Sequence, residues 1–369
     1  MRPVAVPLGM RKPRSRCGSS ASGTGARLGN LGLRTFFVAL SAAGFLSCSD
    51  GRQPLVVYSP HGRGLLTLAE RTFETANPGV DVRWLDMGSQ DVLDRVKSER
   101  ANPQADVWFG GPSNLFDQAA AESLLVAYRP SWADSIPARA RGRGDFYFAA
   151  YETPAVIAYA SEALTADQVP TDWDEVLQPR WTDRILIRDP LASGTMRTIF
   201  GMVIQRGLRA TGDTGAGFDW LRRLDAQTRE YVINPAMLHQ KLIRQEGLLT
   251  LWGLPDILTE QRKGSPLDFV LPTSGTPVIE DAIAIVRGTP RLALAQQFVE
   301  WVGSVEAQLM ATQQEFRLPV RIDVPFDSLP SWAQKVRTEL VAEPMDWELL
   351  SERGANWMFY WDRNVRGRR

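Results

Sequence analysis

The chain has 369 residues, with 42 basic and 42 acidic side chains and two cysteines. Seven of the basic side chains and none of the acidic ones lie in residues 1–47, so the remainder carries 35 basic against 42 acidic residues. This mild acidity argues against a nucleic-acid partner, because that affinity comes from neutralised phosphates. Only Cys48 remains after residue 47, so we expect no disulfide and no cysteine metal site there, and roughly 320 residues suit two lobes better than one core.

The first 47 residues have the pattern of an export signal. A basic segment that ends at Arg34 is followed by the apolar run TFFVALSAAGFL and by a small residue before Cys48. A membrane span needs ~20 apolar residues, so this shorter run predicts a signal peptide over 1–47. Cys48 then predicts a bacterial lipoprotein whose membrane contact is its lipid anchor, although Phe45 and Leu46 depart from the usual sequence before such a cysteine. The alternative is a plain cleaved signal in which Cys48 has no role.

Strands and helices alternate from Pro54 to Pro112. Short β-branched runs at 55–58, 80–85 and 105–109 are separated by segments in which apolar residues recur with helical spacing. This alternation predicts a parallel α/β sheet, in which ligands bind at the carboxyl ends of the strands. A small polar loop follows each strand, so we expect the three loops to form one pocket. The ligand-binding residues predicted in them are Ser59, His61, Ser89, Gln90, Gly111 and Ser113.

Two strings in this stretch, VVYSPHGRG and ERANPQADVWFGG, resemble a known family. They are similar to extracellular solute-binding proteins of bacterial ABC importers, in the branch of ferric-iron, phosphonate and sugar-phosphate binders, and the resemblance extends to about Gln313. It implies an α/β type II periplasmic-binding-protein fold: two lobes, each a mostly parallel sheet flanked by helices, with the ligand in the cleft between them. We accordingly expect a monomer without a cofactor that passes a small molecule to an inner-membrane permease, in the periplasm or at the outer face of the cell membrane.

The resemblance also suggests how the chain is divided. Residues 48–150 are expected to form the first part of lobe 1 and 151–276 lobe 2, while 277–369 hold the return crossover, the second part of lobe 1 and the C-terminal helices. The segment after Asp323 contains four tryptophans, a residue type that more often fills a core than forms a site. We therefore expect two final helices that close over the first lobe.

A long aromatic and β-branched segment, residues 146–160, predicts a strand. In the related family the chain first crosses between the lobes here, which implies that Tyr151, Glu152 and Thr153 face the cleft. The alternative is that the tyrosines only pack the sheet, which is the commoner role for any one tyrosine. Tyr151 and Glu152 are therefore predicted ligand contacts with a structural alternative.

The second lobe contains a candidate anion site. The predicted strand 185–188 is followed by a short polar loop and then at once by a helix. Free backbone N–H groups and the positive end of the helix dipole bind anions at such a position. Ser193 and Thr195 add hydroxyl donors, and Gly194 permits close approach. The alternative is that Ser193 is an ordinary helix N-cap.

Later segments bring more polar residues to the same sheet edge. Asn234 ends one predicted strand, and the segment from Trp252 to Asp256 ends the next. At the return crossover, Glu280 and Asp281 are either paired carboxylates that recognise ligand hydroxyls or an amine, or a surface turn. Together with the anion site, these residues predict a small phosphorylated, phosphonate or carboxylate solute that is captured by closure of the cleft.

The sequence offers little support for catalysis. It has no GxSxG, HExxH, phosphate-loop or dinucleotide fingerprint, so no catalytic residue and no cofactor are predicted. The alternative in this class is a periplasmic hydrolase that uses scattered carboxylates.

A ferric-iron binder is the alternative within the family. Ferric members typically place adjacent tyrosines at the end of a second-lobe strand, where this chain has Trp252 and Gly253. His61 matches a histidine found in some ferric members, and Gln90 lies near the position of an acidic ligand. One histidine without phenolates does not hold a hard Fe³⁺ ion, so we expect no metal site.

Overall fold

The computed structural model describes residues 51–367, so the predicted signal peptide and Cys48 lie outside the described residues. Within 51–367, no helix has the length and apolar character needed to cross a bilayer. The strands are β1 (Gln53–Ser59), β2 (Val80–Asp86), β3 (Val107–Pro112), β4 (Leu125–Val126), β5 (Phe148–Ala160), β6 (Ile185–Arg188), β7 (Thr228–Val232), β8 (Leu249–Gly253), β9 (Leu267–Val270), β10 (Val278–Val286) and β11 (Leu318–Pro319). The α-helices are α1 (Arg63–Ala76), α2 (Ser89–Ser98), α3 (Ser113–Ala121), α4 (Gly194–Thr211), α5 (Gly215–Gln227), α6 (Pro235–Ile243), α7 (Leu254–Arg262), α8 (Leu292–Val302), α9 (Val305–Glu315), α10 (Ser331–Glu339) and α11 (Trp347–Asn364).

Two parallel regions of sheet are joined by two long antiparallel strands. β1 lies between β2 and β3 and is parallel to both, and β6 is parallel to β7 and β8. We call the half built on β1–β3 the first lobe and the half built on β6–β8 the second lobe. β5 pairs with β10 over residues 148–154 and with β8 and β9 over 155–160. One strand therefore belongs to both lobes.

Successive residues of the central first-lobe strands are buried on opposite faces of the sheet. Val57 and Val107 pack in a core with residues of α1 and α8, whereas Tyr58 and Trp108 pack with residues of α2 and α3. Burial on both faces is typical of parallel strands covered by helices on each side. Because these strands are parallel, the polar residues that follow them emerge together at one edge of the sheet.

The last two helices pack on the second lobe, so the prediction that they cover the first lobe is wrong. The Trp361 ring in α11 meets Phe200 of α4 at a centroid distance of 5.4 Å, within the core formed by the second-lobe strands. Gly201 of α4 leaves room for Leu350, since a Cβ there would lie 2.5 Å from Leu350 Cδ1. Trp357 and Trp361 are buried in the core of the second lobe, and Trp332 and Trp347 pack against that core while partly buried.

α11 also reaches the first lobe through polar contacts. Gln118 Nε2 of α3 donates to the Ser351 carbonyl oxygen at 3.1 Å, and Ser351 Oγ donates to the Asn114 carbonyl oxygen at 3.1 Å. The helix thus lies beside both lobes, with its apolar side on the second.

Candidate ligand-binding site

A cavity of about 370 Å³ lies where the strand ends of the two lobes meet. It is bounded by the carboxyl ends of β1, β2 and β3 in the first lobe and of β6, β7 and β8 in the second. The loops predicted from the sequence in the two lobes therefore face one space. Ten of the sixteen predicted ligand contacts line it: His61, Ser89, Gly111, Ser193, Gly194, Thr195, Asn234, Trp252, Asp256 and Asp281.

Five α-helices begin at the cavity wall. Their N-cap residues all line the cavity, namely Gly88 for α2, Pro112 for α3, Ser193 for α4, Asn234 for α6 and Gly253 for α7. Each helix start presents backbone N–H groups without helical acceptors and the positive end of a dipole. The first turns of α2 and α7 already contain a carboxylate that lines the cavity, Asp91 and Asp256, so the starts of α3, α4 and α6 are the ones that favour a further negative charge.

The predicted anion loop at the start of α4 combines capping with free donors. Ser193 Oγ accepts a hydrogen bond from the Met196 backbone N–H at 3.2 Å, so this serine is the helix cap, as the structural alternative expected. Among the described residues, the backbone N–H groups of Gly194 and Thr195 and the Thr195 hydroxyl have no hydrogen-bond partner. The donors available to a ligand in this loop are therefore those of Gly194 and Thr195.

Gly194 lies where the two lobes touch. A Cβ at this position would be 2.7 Å from Pro112 Cδ and 2.8 Å from Ser89 Oγ, both in the first lobe. A Cβ on Gly88 would likewise lie 2.6 Å from the Ala192 carbonyl oxygen in the second lobe. The two glycines thus permit the close approach of the lobes along one rim of the cavity, which is a different role from the approach of ligand predicted for Gly194.

Two buried arginines line the cavity, one from each lobe. Arg188 at the end of β6 is 6% exposed, and its Nη1 donates to the Val232 carbonyl oxygen at 3.3 Å. Arg317, just before β11, is 8% exposed, and its Nη2 donates to the His61 carbonyl oxygen at 3.1 Å. In the described part of the chain, the Nε atom of each arginine has no hydrogen-bond partner.

Carboxylates occupy other parts of the wall. Asp281 accepts hydrogen bonds from Thr153 Oγ1 at 2.5 Å and from the Gly111 N–H at 3.1 Å, and burial raises its pKa while Arg317 opposes that rise. Asp256 of the second lobe accepts from Trp252 Nε1 at 2.7 Å. The wall therefore carries acceptors for ligand hydroxyl or amine groups as well as donors for an anion.

Asp86 and Asp256 face one another across the two lobes. Burial raises the pKa of the Asp86 carboxyl, and the negative charge of Asp256 adds to the rise. The Gly62 N–H and the Arg63 guanidinium act in the opposite direction. Like charges on opposite walls oppose closure unless a ligand or a proton compensates them.

His61 is a neutral part of the first-lobe wall. Its ring contacts Phe109 at a centroid distance of 4.7 Å, and a Cβ on Gly110, whose φ is +104°, would lie 2.4 Å from His61 Nε2. Burial, with the nearby Arg317 charge, holds the pKa of His61 well below its ordinary value. The imidazole is thus uncharged at neutral pH and fixed by packing.

Six predicted residues lie away from the cavity wall, namely Ser59, Gln90, Ser113, Tyr151, Glu152 and Glu280. Ser59 Oγ accepts from the His61 N–H at 3.1 Å and so supports the loop from behind. Gln90 Nε2 donates to Asp94 on α2 at 2.9 Å, Ser113 is buried at the start of α3, and Tyr151 packs against His61.

Glu152 and Glu280 form a separate ionic cluster outside the cavity. They are direct neighbours across β5 and β10, and Arg139 binds both carboxylates, with Nη2 at 2.8 Å from Glu152 Oε1. Successive side chains of a strand point to opposite faces, so Asp281 faces the cavity while Glu280 faces away from it. The predicted carboxylate pair is thereby divided between two sites.

Some polar residues of the cavity wall were not predicted as ligand contacts, among them Asp86, Arg188 and Arg317. Thr153, which also lines the cavity, was implied only by the resemblance. Asp86 and Arg188 end strands, so the rule that selected the polar loops applies to them as well. Arg317 has no such local signal. It reaches the cavity because β11 pairs with β5 at residues 151 and 152, far away in the sequence.

This chain resembles proteins and solved structures that are described as transport or binding proteins. A probable ABC transporter periplasmic-binding protein of Sinorhizobium fredii is 28% identical over 325 residues, covering 86% of this chain and 87% of the relative. The structure of the periplasmic binding protein AfuA from Actinobacillus pleuropneumoniae with bound fructose-6-phosphate is 25% identical, with a TM-score of 0.76 over 86% of this chain and all of that one. Iron-bound HitA from Pseudomonas aeruginosa is 18% identical, with a TM-score of 0.72 over 83% of this chain and 98% of that one.

These likenesses confirm the predicted two-lobed type II periplasmic-binding-protein fold. The strands and helices that form the cavity lie within, or next to, the region matched by a family profile. That profile, described as bacterial extracellular solute-binding protein, matches residues 69–337. The chain therefore belongs to the family of bacterial extracellular solute-binding proteins.

Proposed function

We propose that the protein captures a small anionic organic solute, phosphorylated, phosphonate or carboxylate, by closure of the cleft and delivers it to an ABC-type permease. The observation that carries this proposal is the meeting of five helix N-termini at one cavity. Such termini bind anionic groups through backbone N–H donors and the helix dipole. The bound fructose-6-phosphate of AfuA and the transporter assignment of the Sinorhizobium relative support the same conclusion.

The proposed closure of the cleft is supported by the position of hydrogen-bond donors on both lobes. Gly88 and Ser89 of the first lobe touch Ala192 and Gly194 of the second, so the cavity is walled from both sides in this arrangement. Only contacts made in the closed arrangement shift the equilibrium toward it. A solute held by both walls is thus retained until the permease opens the cleft.

A thermal-shift and calorimetry screen tests the proposal. Each probe is paired with its uncharged analogue, for example fructose 6-phosphate with fructose and succinate with butanediol. A ligand at 100 times its dissociation constant stabilises the folded protein by about 2.7 kcal/mol, which is measurable as a rise in melting temperature. Stabilisation by the charged member of a pair alone supports the proposal. Stabilisation by the uncharged members alone contradicts it.

The same probes test the alternative that the protein is a periplasmic hydrolase. We propose that the bound solute is released unchanged, because the cavity serves capture and the family binds solutes. Incubation of the protein with each bound probe, followed by mass spectrometry, is expected to return the intact compound. Hydrolysis at a rate above the spontaneous one would favour the periplasmic hydrolase instead.

The ferric alternative has less support from the residues present. In the part of the chain that the structure describes, no group of three His, Cys, Asp or Glu side chains is arranged to hold a metal ion, and no tyrosine lines the cavity. HitA is similar at a level that indicates the fold alone. A visible charge-transfer band on addition of ferric citrate, lost in His61→Ala, would favour iron over an organic anion.

Lipid anchoring at Cys48 and the monomeric state complete the proposal. Detergent extraction of the mature protein from membranes followed by mass spectrometry is expected to give a diacylglyceryl-modified N-terminal cysteine. A Cys48→Ala variant is expected to be released from the membrane. Light scattering after gel filtration tests whether the released variant is a monomer.

A further inference from the structure

We propose that Arg188 and Arg317 bind anionic oxygens of the solute from opposite walls of the cavity, so that the solute carries at least two negative charges. This inference rests on the proposed function and goes further, because it names two recognising residues and narrows the class of ligand. Phosphate monoesters, phosphonates and dicarboxylates belong to that class. Neutral sugars and simple monocarboxylates do not.

The first ground is that these two buried charges have no ion pair. Among the described residues, Arg188 and Arg317 are the arginines that are more than nine-tenths buried, and neither has a carboxylate within 4.0 Å. Other partly buried arginines of the protein do, such as Arg291 with Asp106 at 3.1 Å and Arg206 with Glu343. A buried charge without a partner is costly, and proteins seldom keep one without a role.

The second ground is the unused donor capacity of each guanidinium. A guanidinium has five N–H donors in a planar fork that matches the oxygens of carboxylate or phosphate. Arg188 bonds only to backbone carbonyls, through Nη1, and Arg317 bonds only to the His61 carbonyl, through Nη2. The Nε atom of each has no partner in residues 51–367. The carbonyl contacts fix the two side chains and leave the remaining donors for another acceptor.

The third ground is placement. Arg188 ends β6 in the second lobe, and Arg317 precedes β11 in the first, yet both line the same cavity. The carboxylates of Asp91 and Asp189 influence Arg188, and that of Asp281 influences Arg317, but none of these carboxylates forms an ion pair with either guanidinium. A ligand that touches both guanidinium groups does so only when the lobes are together. The pair therefore couples recognition of charge to closure.

Calorimetry with fructose 6-phosphate, succinate and inorganic phosphate as probes tests this inference at pH 7.5. Arg188→Gln and Arg317→Gln are each expected to weaken binding of the probe by about 10–100-fold, the loss of one charge-assisted contact. Arg223→Gln in the second lobe and Arg287→Gln in the first remove the same charge from exposed positions outside the cavity lining and are expected to leave affinity within about twofold, because exposed surface charges contribute little. Acetate, with one charge, is expected to bind more weakly than succinate.

A merely structural role gives a different pattern. If the arginines serve only to hold backbone carbonyls, the melting temperature of the unliganded variants falls and the affinity of the folded fraction is unchanged. Arg188→Lys and Arg317→Lys, which keep the charge but lose the fork, serve where a glutamine variant fails to fold, and they are expected to bind with intermediate affinity.

The outcomes separate this inference from the proposed function. Binding of any probe by the wild type together with unchanged affinity in either glutamine variant overturns the two-wall recognition and leaves anion capture intact. Equal affinity for acetate and succinate does the same. Failure of the wild type to bind any of the anions overturns the proposed function and this inference with it.

Discussion

The two walls of the cavity use helix starts differently. In the second lobe, Ser193 caps α4 by accepting from the Met196 N–H at 3.2 Å, and Asn234 caps α6 by accepting from the Met237 N–H at 2.8 Å, whereas α7 begins after Gly253 without a side-chain cap. In the first lobe, α1, α2 and α3 have no side-chain cap, and α1 and α2 begin after Gly62 and Gly88. The second wall satisfies part of its own donors, whereas the first leaves them to solvent or ligand.

The difference indicates which residues serve the fold and which serve the solute. A side-chain cap contributes stability whether or not a ligand is present. An uncapped helix start offers more N–H groups to a bound anion. We therefore expect changes at the caps to affect mainly unfolding, and changes at free donors or at the contact between the walls to affect mainly binding.

The largest effect is expected where the walls touch. Gly194→Val places a side chain against Ser89 and Pro112, which obstructs closure, and overpacking of this kind should weaken binding by about 3 kcal/mol, or roughly 100-fold. The unliganded protein avoids the clash by opening, so its unfolding should change little. Calorimetry with fructose 6-phosphate measures the loss, and small-angle scattering should show less compaction on addition of ligand.

Gly79→Val is the matched control, since a Cβ at Gly79 meets no atom within 4 Å. It should bind as the wild type does. Equal affinity in the Gly194 and Gly79 variants would mean that the contact between the walls is not needed for capture.

The second effect concerns the free hydroxyl of the second wall. Thr195→Ala removes a donor that has no partner in the described residues, and the loss of one charge-assisted hydrogen bond should weaken binding by about 2 kcal/mol. Unfolding in urea should be nearly unchanged. If affinity for every anionic probe is retained, the anion lies nearer the first wall.

The third effect concerns the caps. Ser193→Ala and Asn234→Ala should each lower the free energy of unfolding by about 1 kcal/mol and leave affinity almost unchanged. Ser304→Ala is the control outside the cavity, because Ser304 caps α9 by accepting from the Ala307 N–H at 3.2 Å. Urea denaturation and calorimetry on the three variants compare them. A large loss of affinity in Ser193→Ala alone would show that this cap also binds the solute.

The smallest effect is a dependence on pH that arises between the walls. The pKa of Asp86 is raised in the folded protein, so its contribution to stability is fully present below its ordinary pKa of 3.8 and is lost as pH rises through the raised value. Because solvent still reaches part of the Asp86 side chain and screens the interaction, we expect less than about 1 kcal/mol. The difference in unfolding free energy between wild type and Asp86→Asn, followed from pH 3 to pH 7, should therefore fall with pH. A difference that rises with pH would contradict the raised pKa of Asp86, which burial and the Asp256 charge together produce.

The strand-end loops were predictable because a parallel sheet brings the carboxyl ends of its strands to one edge. That rule needs only the strand order along the chain, and it located His61, Ser89 and Gly111 on one wall and Asn234 on the other. Glu280 and Asp281 point to opposite faces of the sheet because side chains alternate along a strand, and this separation was predictable from the sequence.

Other features depend on contacts that no local pattern contains. Arg317 reaches the cavity through pairing of β11 with β5, and Glu280 meets Arg139 across 141 residues of sequence. The final helices were assigned to the wrong lobe because their apolar spacing predicts a buried face without identifying what covers it. Gly201 leaves room for Leu350, but this match shows that α4 covers α11 only after the two helices have been placed side by side.

The strand shared by both lobes also indicates where the proposed closure of the cleft bends the chain. The Ala155 N–H donates to the Pro277 carbonyl oxygen at 3.0 Å, and Thr276 Oγ1 donates to the Ala155 carbonyl oxygen at 2.6 Å, where β5 changes partners from β10 to β8. The two crossing segments are thus hydrogen-bonded to each other at this point, and we expect the proposed closure to turn about it. A pair of fluorescent reporters, one on each lobe and far from residue 155, would then convert closure into a change in energy transfer, which would make this chain a frame for a genetically encoded sensor of its solute.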